Sequence, residues 1–514
     1  MASPHTLTLD GFSLTLERLE PVLRGRPARV AIAARAKAPI RRARKVVEDH
    51  VAAGDVVYGL TTGFGRLKSV AIDAADLARL QKNLVLSHCC GVGDPMPIDE
   101  VRATQVLRLN VLASGHSGVR LELIEKLVRL FNRGFVPVVP QQGSVGASGD
   151  LAPQAHMAAA YMGHGDAFVK GRRMSARRAL KAVGQAPLEL EAKEGLALIN
   201  GTEVMKAIGA GVYHRAAVLS RSADAIAALT IEALFGSLKP FDARLAKLKG
   251  LDGHVRTSAN VRRCLVGSEV MKSHAGCGRV QDPYSLRCVP QIHGAFKTAL
   301  EHVGGVLAAE MNSVTDNPVL FPDTDEVISA GQFHGQPISM VLDYLGLALC
   351  TLANVSERRV EQLVNPDLSH LPSFLTPKPG LNSGLMMAQI VAAALASENK
   401  IHAHPASVDT IPTNANQEDH VSMGVTAARK ARVICDNTEH ILAIEWIAAA
   451  QAREFHDDLR AGKGAAAARR CLRRRVKPLK EDRYLHDDVE TARELIASGE
   501  LVRAVEKAAG RLRA

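Results

Sequence analysis

Five long runs of apolar residues at helical spacing dominate the middle of this 514-residue chain. Apolar side chains recur there every three to four residues, which predicts helices over Ala210–Leu234, Ala295–Met311, Met340–Val364, Gly384–Asn399 and Val421–Ala452. No clear strand pattern separates them, and long helices must pack together to bury their apolar faces. Only 4% of residues are aromatic, which favours close helix packing over a β-sandwich. The sequence therefore predicts a mainly α fold, an elongated central bundle of long helices with a loop-rich N-terminal region.

Changes in pattern along the chain predict three regions. Residues 1–200 alternate loops with shorter helical patterns, such as Leu121–Phe131 with Ser117 as its candidate N-cap. Residues 201–455 hold the long-helix bundle. Residues 456–514 are more charged, and we expect shorter surface helices there.

The formal net charge of +11 raises the question of an anionic partner. A basic cluster near the C-terminus consists of Arg469, Arg470, Arg473, Arg474, Arg475 and Lys477. Almost no aromatic residues are interleaved with it, so a stacking platform for nucleic acid is not favoured. We expect a solvated helix face instead.

Cysteine usage and hydropathy favour a soluble, cytoplasmic protein without a membrane span. The eight cysteines include no C-x-x-C pair, which argues against a zinc ribbon or a small disulfide framework. The first 20 residues carry Asp10, Glu17 and Glu20 among their apolar positions, unlike a signal peptide. The stretch Pro337–Val355 approaches the length of a membrane span but contains Asp343, which favours a buried core helix.

The stretch 142–154 reads QGSVGASGDLAPQ, and six of the eight residues from Gly143 to Asp150 are Gly, Ala or Ser. Such small residues permit strained backbone dihedrals and close approach to another group. The stretch lacks the Gly-Lys-Ser/Thr ending of a P-loop, the spacing of a dinucleotide fingerprint and the flanks of a nucleophile elbow. Taken alone, it is best interpreted as a tight surface turn.

Polar and titratable residues cluster in loops beside the predicted helices, where functional groups concentrate. They are Tyr58, His88, Asn200, Gln281, Tyr284, Arg287, His334, Gln417, Glu418 and His420. No Ser-His-Asp order can be chosen among them and no H-E-x-x-H occurs, so a metal hydrolase is weakly supported. Each also has an ordinary interpretation: Arg287 fits a structural salt bridge, Glu418 a helix N-terminal charge and Tyr58 a half-buried tyrosine.

Together, however, these stretches resemble the aromatic amino acid ammonia-lyase family, which includes histidine, phenylalanine and tyrosine ammonia-lyases and related aminomutases. GSVGASGDLAP at 143–153 is similar to the family signature. The other similar blocks, in family order, are YGLTTGFG at 58–65, LQKNLVLSHCCGVG at 80–93, EGLALINGTE at 194–203, QDPYSLR at 281–287, SVTDNP at 313–318, GLNSG at 380–384 and NQEDHVSMG at 416–424. The resemblance covers about residues 50 to 450 and implies an ammonia-lyase-like fold.

In this family an Ala-Ser-Gly tripeptide cyclises, without any external cofactor or metal, to 4-methylidene-imidazole-5-one (MIO). The resemblance implies that the nitrogen of Gly149 attacks the carbonyl of Ala147 and that loss of two waters leaves Ser148 as an exocyclic methylidene. A backbone amide is a poor nucleophile, so the loop must press it against that carbonyl. Larger side chains at positions 147 and 149 would obstruct this approach, which accounts for the bare backbone.

The methylidene is an electrophile that adds the substrate amine and makes it a better leaving group. A base then removes a β-proton, and elimination gives an α,β-unsaturated acid and ammonia. The resemblance assigns the base to Tyr58, which requires surroundings that lower its phenol pKa.

The other family site positions are matched in the middle of the chain. Arg287 matches the residue that holds the substrate carboxylate, assisted by Asn200 and Tyr284. Gln281 matches a supporting position, and Phe333, like Asn200, borders the cofactor and substrate. The family forms homotetramers whose active sites combine loops from three subunits, so we expect a homotetramer.

Two positions favour a histidine substrate. Ser87-His88 and Glu418 resemble the histidine enzymes, whereas aromatic-specific relatives carry Phe-Leu or His-Leu and Gln there. An imidazole offers N–H donors to a carboxylate and a second imidazole, whereas a phenyl ring would leave a buried Glu418 unpaired. The resemblance therefore implies conversion of L-histidine to trans-urocanate and ammonia.

Departures from the family pattern keep alternatives open. Gln332 stands where Asn is expected, Glu203 replaces the commoner Gln, and Cys89-Cys90 replaces Ala-Ala. Gln332 and Glu203 could alter the pocket or its support, which leaves a tyrosine or phenylalanine ammonia-lyase or a 2,3-aminomutase as alternatives. A weaker alternative is a catalytically dead helical scaffold or a nucleic-acid-binding protein, suggested by the net charge.

Overall fold

A computed structural model describes residues 5–456 and 458–514, and it is mainly helical, as predicted. The α-helices are Leu16–Leu23, Ala34–Ala53, Leu77–Ser87, Ile98–Ala113, Leu121–Asn132, Leu151–Tyr161, Ala176–Ala182, Glu194–Ile199, Glu203–Ala233, Ala243–Lys249, Asp252–Cys264, Val270–Ser273, Tyr284–Arg287, Val289–Glu310, Gln336–Val364, Pro366–Ser369, Met386–His402, Gly424–Ala452, Lys463–Arg473, His486–Ala497 and Glu500–Ala509. Short 3-10 helices are Gly65–Leu67, Ala74–Asp76, Lys239–Phe241, Ser373–Leu375 and Arg453–His456.

Strands are short and form four small sheets. His5–Leu9 pairs in parallel with Ala28–Ile32, from His5 opposite Ala28 to Leu9 opposite Ile32. The antiparallel pairs are Val92–Pro95 with Pro140–Gln142, Phe135–Pro137 with Asp166–Val169, Asp166–Val169 with Arg172–Ser175, and Val319–Phe321 with Glu326–Ile328. The strand Pro140–Gln142 leads directly into the small-residue loop, so its pairing fixes one end of that loop.

All five predicted long helices are present, and their starts differ most from the prediction. The helix expected from Ala210 begins at Glu203, because Asp150 Oδ2 accepts the N–H groups of Val204 (2.9 Å) and Met205 (3.0 Å). A carboxylate from a distant loop thus satisfies the free donors of the first helical turn.

Ser117 does not cap the helix Leu121–Asn132, contrary to the prediction. Arg120 occupies the N-cap position without a side-chain cap, and its N–H donates to Glu194 Oε1 at 3.1 Å. The carboxylate of Glu194, which lies in a later helix, therefore binds the backbone of the N-cap residue and does not accept from the first helical turn.

The chain forms two compact units, each assembled from separate stretches of sequence. The first unit comprises the chain up to Gly211 together with Gly304–Asp343 and Pro405–Arg429. The second unit comprises Val212–Val303, Tyr344–His404 and Lys430–Ala514. The division into three consecutive regions stays a prediction.

A buried polar network joins four long helices within the second unit. Arg359 donates to both carboxylate oxygens of Glu445, at 2.6 and 2.7 Å, and Thr230 donates to the same carboxylate at 2.8 Å. His293 pairs with Asp224 at 2.8 Å. These contacts link the second-unit parts of Glu203–Ala233, Val289–Glu310, Gln336–Val364 and Gly424–Ala452, which supports the predicted bundle.

One helix in the described ranges, Gln336–Val364, is long and apolar enough to cross a membrane by length and composition. The share of its most apolar window that is buried in the protein is 61%, and buried core helices of soluble proteins meet the same criteria. This agrees with the predicted core helix around Asp343.

Candidate active site

A neighbouring turn holds Ser148 and Gly149 of the Ala147-Ser148-Gly149 tripeptide in a left-handed backbone conformation. The φ angles are 49° at Ser148 and 80° at Gly149, and the N–H of Gly149 donates to the carbonyl of Gly146 at 3.2 Å. Gly201 contacts both sides of the tripeptide: its N–H donates to the Ser148 carbonyl (3.2 Å) and its own carbonyl accepts from Asp150 N–H (2.7 Å). A positive φ is uncommon for a serine and marks a constrained site.

Close approach of two backbone segments accounts for glycine at both contact points. A Cβ on Gly149 would lie 2.2 Å from the carbonyl oxygen of Gly201. A Cβ on Gly201 would lie 2.5 Å from a guanidinium nitrogen of Arg108. Neither distance is compatible with a side chain unless the backbone or the arginine moves.

The side chain of Arg108 holds the turn at Asn200 and Gly201 in place. It is buried and donates to Gln154 Oε1 at 3.0 Å and to the Asn200 carbonyl at 2.8 Å, and it pairs with Glu203. Gln154 in turn donates to the Gly201 carbonyl at 2.8 Å. The guanidinium therefore fixes the turn that contacts the tripeptide.

The departure at Glu203 is explained by a buried ion cluster. Its carboxylate pairs with Arg108 and with Lys206 (3.1 Å) and accepts from Thr315 Oγ1 (2.7 Å). Burial acts to raise the pKa of Glu203, but the charges of Arg108 and Lys206 outweigh it and lower the pKa to about 2. An ionised glutamate at this position balances cations that a glutamine would leave unpaired.

Asp150 follows the tripeptide and is completely buried. Burial raises its pKa to about 7, although the N–H groups of Met205 and Val204 act in the opposite direction. Its carboxyl connects the loop to the start of the long helix, so the tripeptide is anchored at its C-terminal side.

Two cavities flank the tripeptide within the first unit. The larger, of about 600 Å³, is lined by Val56, Tyr58, Thr62, Gly65, Lys68, Ser69, Ser148, Asn317, Ser329, Ala330, Phe333, Gln417 and Glu418. The smaller, of about 320 Å³, is lined by Ser87, His88, Cys90, Gly143, Ser144, Val145, Ala147, Gly149, Leu151, Ala152, Thr413 and Glu418. Glu418 lines both, and the tripeptide contributes residues to each.

Tyr58 lies in the larger cavity together with Ser148. Burial raises the pKa of its phenol, the charge of Glu418 raises it further, and a backbone hydrogen bond from Gly65 acts against them. The expectation of a lowered pKa is therefore wrong for the surroundings that this unit provides. Among residues 5–456 and 458–514, no cation contributes enough to outweigh the cost of burying a phenolate at Tyr58.

His88 ends the helix Leu77–Ser87 and lines the smaller cavity with Glu418. Its Nδ1 lies 2.8 Å from the Leu84 carbonyl, which can only accept, so Nδ1 carries the proton. Burial lowers the pKa of His88, so the ring is neutral near pH 7 and Nε2 is an acceptor.

The Glu418 carboxylate is oriented by its own loop. Thr413 Oγ1 donates to it at 2.7 Å and Asn414 Nδ2 at 3.3 Å. Each contact uses a different oxygen, and a carboxylate oxygen accepts more than one hydrogen bond. Glu418 therefore keeps acceptor capacity towards a donor in either cavity.

Asn200 and Phe333 occupy different positions around the site. Phe333 lines the larger cavity, whereas Asn200 is buried next to Gly201. The side-chain Oδ1 of Asn200 has no hydrogen-bond partner among residues 5–456 and 458–514. The departure at Gln332 is exposed and lines neither cavity.

Gln281, Tyr284 and Arg287 lie in the second unit and line neither cavity. Tyr284 is 68% exposed, and the Arg287 guanidinium stacks on its ring at 4.5 Å from the centroid. Gln281 is exposed at the rim of another second-unit cavity. Of the predicted carboxylate-binding group, Arg287 and Tyr284 are thus in contact in the second unit, whereas Asn200 lies in the first unit.

Several lining residues were missed by sequence reasoning, among them Asn317 and Lys68. Asn317 is buried and accepts the N–H of Ala330 at 2.8 Å, and its only sequence signal was its place in the SVTDNP block. Lys68 is exposed and donates to Gln417 Oε1 at 2.6 Å. Nothing in the spacing around Lys68 distinguishes it from any surface lysine.

His334 and His420 are stacked, with ring centroids 5.7 Å apart, and His334 Nε2 lies 3.2 Å from the His420 carbonyl. In the described part of the chain, no three His, Cys, Asp or Glu side chains are grouped to hold a metal ion. The pair is therefore a ring contact beside the Glu418 loop.

Known proteins are similar to this chain in sequence and in fold over nearly its whole length. The family model described as aromatic amino acid lyase matches residues 14–474. A histidine ammonia-lyase of Myxococcus xanthus is 50% identical over 509 residues, which is 99% of this chain and 100% of that protein.

Solved structures agree. The crystal structure of histidine ammonia-lyase from Trypanosoma cruzi has a TM-score of 0.91 at 39% identity and covers 98% of this chain and 95% of its own. A tyrosine aminomutase from Streptomyces globisporus has a TM-score of 0.92 at 37% identity, covering 99% and 100%. The tripeptide, in which Gly149 lies against Gly201, is at the centre of the candidate site. This chain belongs to the aromatic amino acid lyase family.

Proposed function

We propose that this protein is an ammonia-lyase that converts L-histidine to trans-urocanate and ammonia. The observation that carries the proposal is the meeting of Glu418 and His88 beside the tripeptide in one cavity. A carboxylate and the free acceptor nitrogen of a neutral imidazole suit a substrate whose ring presents N–H donors. The relative of Myxococcus xanthus that matches the whole chain is named a histidine ammonia-lyase.

The tripeptide fits formation of MIO from Ala147-Ser148-Gly149 without an external cofactor. The left-handed Ser148, the forced glycine at 149 and the unpartnered Oδ1 of buried Asn200 support this. MIO supplies an electrophile that takes up the substrate amine and turns it into a leaving group. Asn200 and Phe333 are the residues that would border it.

Ring recognition follows from the protonation state of His88. Its Nδ1–H is committed to the Leu84 carbonyl, so Nε2 accepts a ring N–H of the substrate. The acceptor oxygens of Glu418 take the other ring nitrogen when it is protonated. A phenyl ring leaves both groups without a partner inside the site, and a phenol has one O–H to donate and leaves the other group unpaired, which disfavours phenylalanine and tyrosine.

A Glu418→Gln variant should lose about ten- to a hundredfold in kcat/KM for histidine, because a hydrogen bond to a charged acceptor is replaced by a weaker one. The amide keeps the shape of the side chain. Asp419→Asn removes the same charge from the next, exposed residue, which lines neither cavity, and should leave kcat/KM within about twofold. Equal losses of kcat/KM in both variants would show that the loss of a negative charge near the site causes the effect, and not the loss of a hydrogen bond to the substrate ring.

We further propose that Tyr58 removes the β-proton and that Arg287 holds the substrate carboxylate, with Tyr284, Asn200 and Gln281 in support. Arg287 and its stacked Tyr284 form an exposed patch in the second unit, and Arg287 Nε is buried without a partner among the described residues. In a homotetramer with shared sites, a second copy of the chain supplies this patch to the Tyr58 cavity. Its cation would also lower the pKa of Tyr58, which the first unit alone raises.

Subunit mixing tests the shared site. Tyr58→Phe and Arg287→Ala variants should each be nearly inactive, and their co-expression should restore about a quarter of wild-type activity by random assembly. Only sites that take Tyr58 and Arg287 from different copies regain function. Absence of recovery in mixed tetramers, verified by mass after affinity purification of two tags, would place both residues in one copy.

The activity itself is tested by incubating the purified protein with L-histidine, L-phenylalanine or L-tyrosine and following the absorbance of the conjugated acid. Absorbance should rise with histidine alone. A rise with phenylalanine or tyrosine would overturn the substrate assignment.

A second candidate, a 2,3-aminomutase, is favoured by the likeness to the tyrosine aminomutase structure. It predicts a β-amino acid with the mass of the substrate instead of an absorbing acid. Mass spectrometry of the products after derivatisation separates the two reactions.

A further inference from the structure

A cationic cavity of about 780 Å³ in the second unit is not used by the proposed reaction. It is lined by Arg453, Glu454, Leu459, Arg460, Ala461, Lys463, Ala466, Arg469, Arg470, Arg473, Pro478 and Ala508. Six of these side chains are cationic and one is a carboxylate. Such an excess of one sign inside a concave surface is costly without a counter-ion.

The helix Lys463–Arg473 supplies most of the cations from one face. Its opposite face is buried through Gly464, Ala465, Ala467, Ala468, Cys471 and Leu472. The basic cluster was expected to be a solvated helix face, and Arg470, Arg474, Arg475 and Lys477 are indeed exposed, whereas Arg469 and Arg473 are half-buried and pair with Glu454. Burial of the alanine face turns these arginines towards the cavity.

The lining carboxylate is shared between two arginines, and Arg453 lies 3.9 Å from Glu232 outside the lining. Glu454 accepts from Arg469 at 2.8 Å and from Arg473 at 2.8 Å. Arg460 pairs with a residue outside the lining, Glu269, at 3.0 Å. Lys463 and Arg470 form no ion pair in the part of the chain that the structure describes.

The neighbouring cations also affect the pKa of Arg473. Burial lowers the pKa of its guanidinium, and the charges of Arg469 and Arg483 lower it further, although Glu454 acts against them. The charge of an anion in the cavity would raise the pKa of Arg473 and so offset these effects.

We propose that this cavity binds a small anion with two or more adjacent phosphate groups, such as pyrophosphate or the phosphate chain of a nucleotide. Arginine presents a planar fork that matches phosphate oxygens in pairs, and five arginines line this cavity. The volume suits a small ligand, and Leu459, Ala461, Pro478 and Ala508 provide apolar contacts for an organic portion. The described lining contains no aromatic side chain, which disfavours single-stranded nucleic acid.

The test is a titration of the purified protein with pyrophosphate by isothermal titration calorimetry, at 50 and 200 mM NaCl. Wild type should bind one pyrophosphate per chain. Lys463→Ala/Arg470→Ala removes two cations that hold no ion pair, and Kd should rise at least about tenfold. Urocanate formation from histidine should be unchanged in this variant.

Arg475→Ala is the matched control. Arg475 follows the same helix and pairs with Glu494 at 3.3 Å outside the cavity, so the variant loses a cation without touching the lining. Its Kd should stay within about twofold of wild type. Equal weakening in both variants, or no binding of pyrophosphate, would overturn the proposal. A duplex or single-stranded oligonucleotide that binds more tightly than pyrophosphate, and loses affinity in the Lys463/Arg470 variant, would assign the cavity to nucleic acid instead.

Discussion

A Ser148→Ala variant is expected to fold like the wild type and to lose urocanate formation by several orders of magnitude. The Ser148 hydroxyl has no hydrogen bond among the described residues, so its removal costs little stability. Without that oxygen the second dehydration cannot create a methylidene carbon, and the amine is left as a poor leaving group.

Intact mass separates this explanation from general damage. Wild-type chains should be lighter than the calculated sequence by two waters, and Ser148→Ala chains should not. Ser144→Ala changes a serine of the same loop whose hydroxyl bonds to the N–H of Gly146 at 3.2 Å, and it should keep the mass deficit. An active Ser148→Ala protein would remove MIO from the mechanism, whatever its fold.

A Tyr58→Phe variant should keep the mass deficit and lose about 10²- to 10⁴-fold in kcat, the usual contribution of a positioned general base. The phenol shares its cavity with Ser148, Phe333 and Glu418. The base form is the phenolate, so wild-type kcat/KM should rise with pH through the Tyr58 pKa. Because burial and Glu418 raise this pKa, the rise should fall on the alkaline side of neutrality unless a cation joins the site.

The pH profile provides the decisive readout. Tyr58→Phe should flatten the alkaline rise in kcat/KM, whereas Tyr344→Phe, which changes an exposed tyrosine that lines neither cavity, should not. A Tyr58→Phe enzyme within tenfold of wild type, with the same alkaline rise, would show that another group removes the proton.

The long helices were predictable because their apolar periodicity is local information. The prediction of Met340–Val364 ends at the observed residue, and Val421–Ala452 does as well. The starts were less predictable, since Asp150 stabilises the first turn at Glu203 from a distant loop. No spacing rule links two residues that meet only in the folded chain.

The candidate site was likewise only partly predictable from the sequence. Resemblance pointed to Tyr58, His88 and Glu418, and the structure groups them around the tripeptide. It could not show that Glu203 is held ionised by Arg108 and Lys206, because this depends on burial and on the approach of distant helices. The direction of the Tyr58 pKa shift likewise depends on which neighbours are present.

The face-to-face contact of Gly149 and Gly201 restricts how this enzyme can change by mutation. A side chain at position 149 meets a main-chain carbonyl, and one at 201 meets Arg108, so no second substitution at the facing glycine makes room for the first. A single substitution at either position is therefore not expected to be neutral. Variant libraries that seek new substrates should hold both glycines constant and diversify the side chains around Phe333 and Glu418, where the cavity wall is made of replaceable groups.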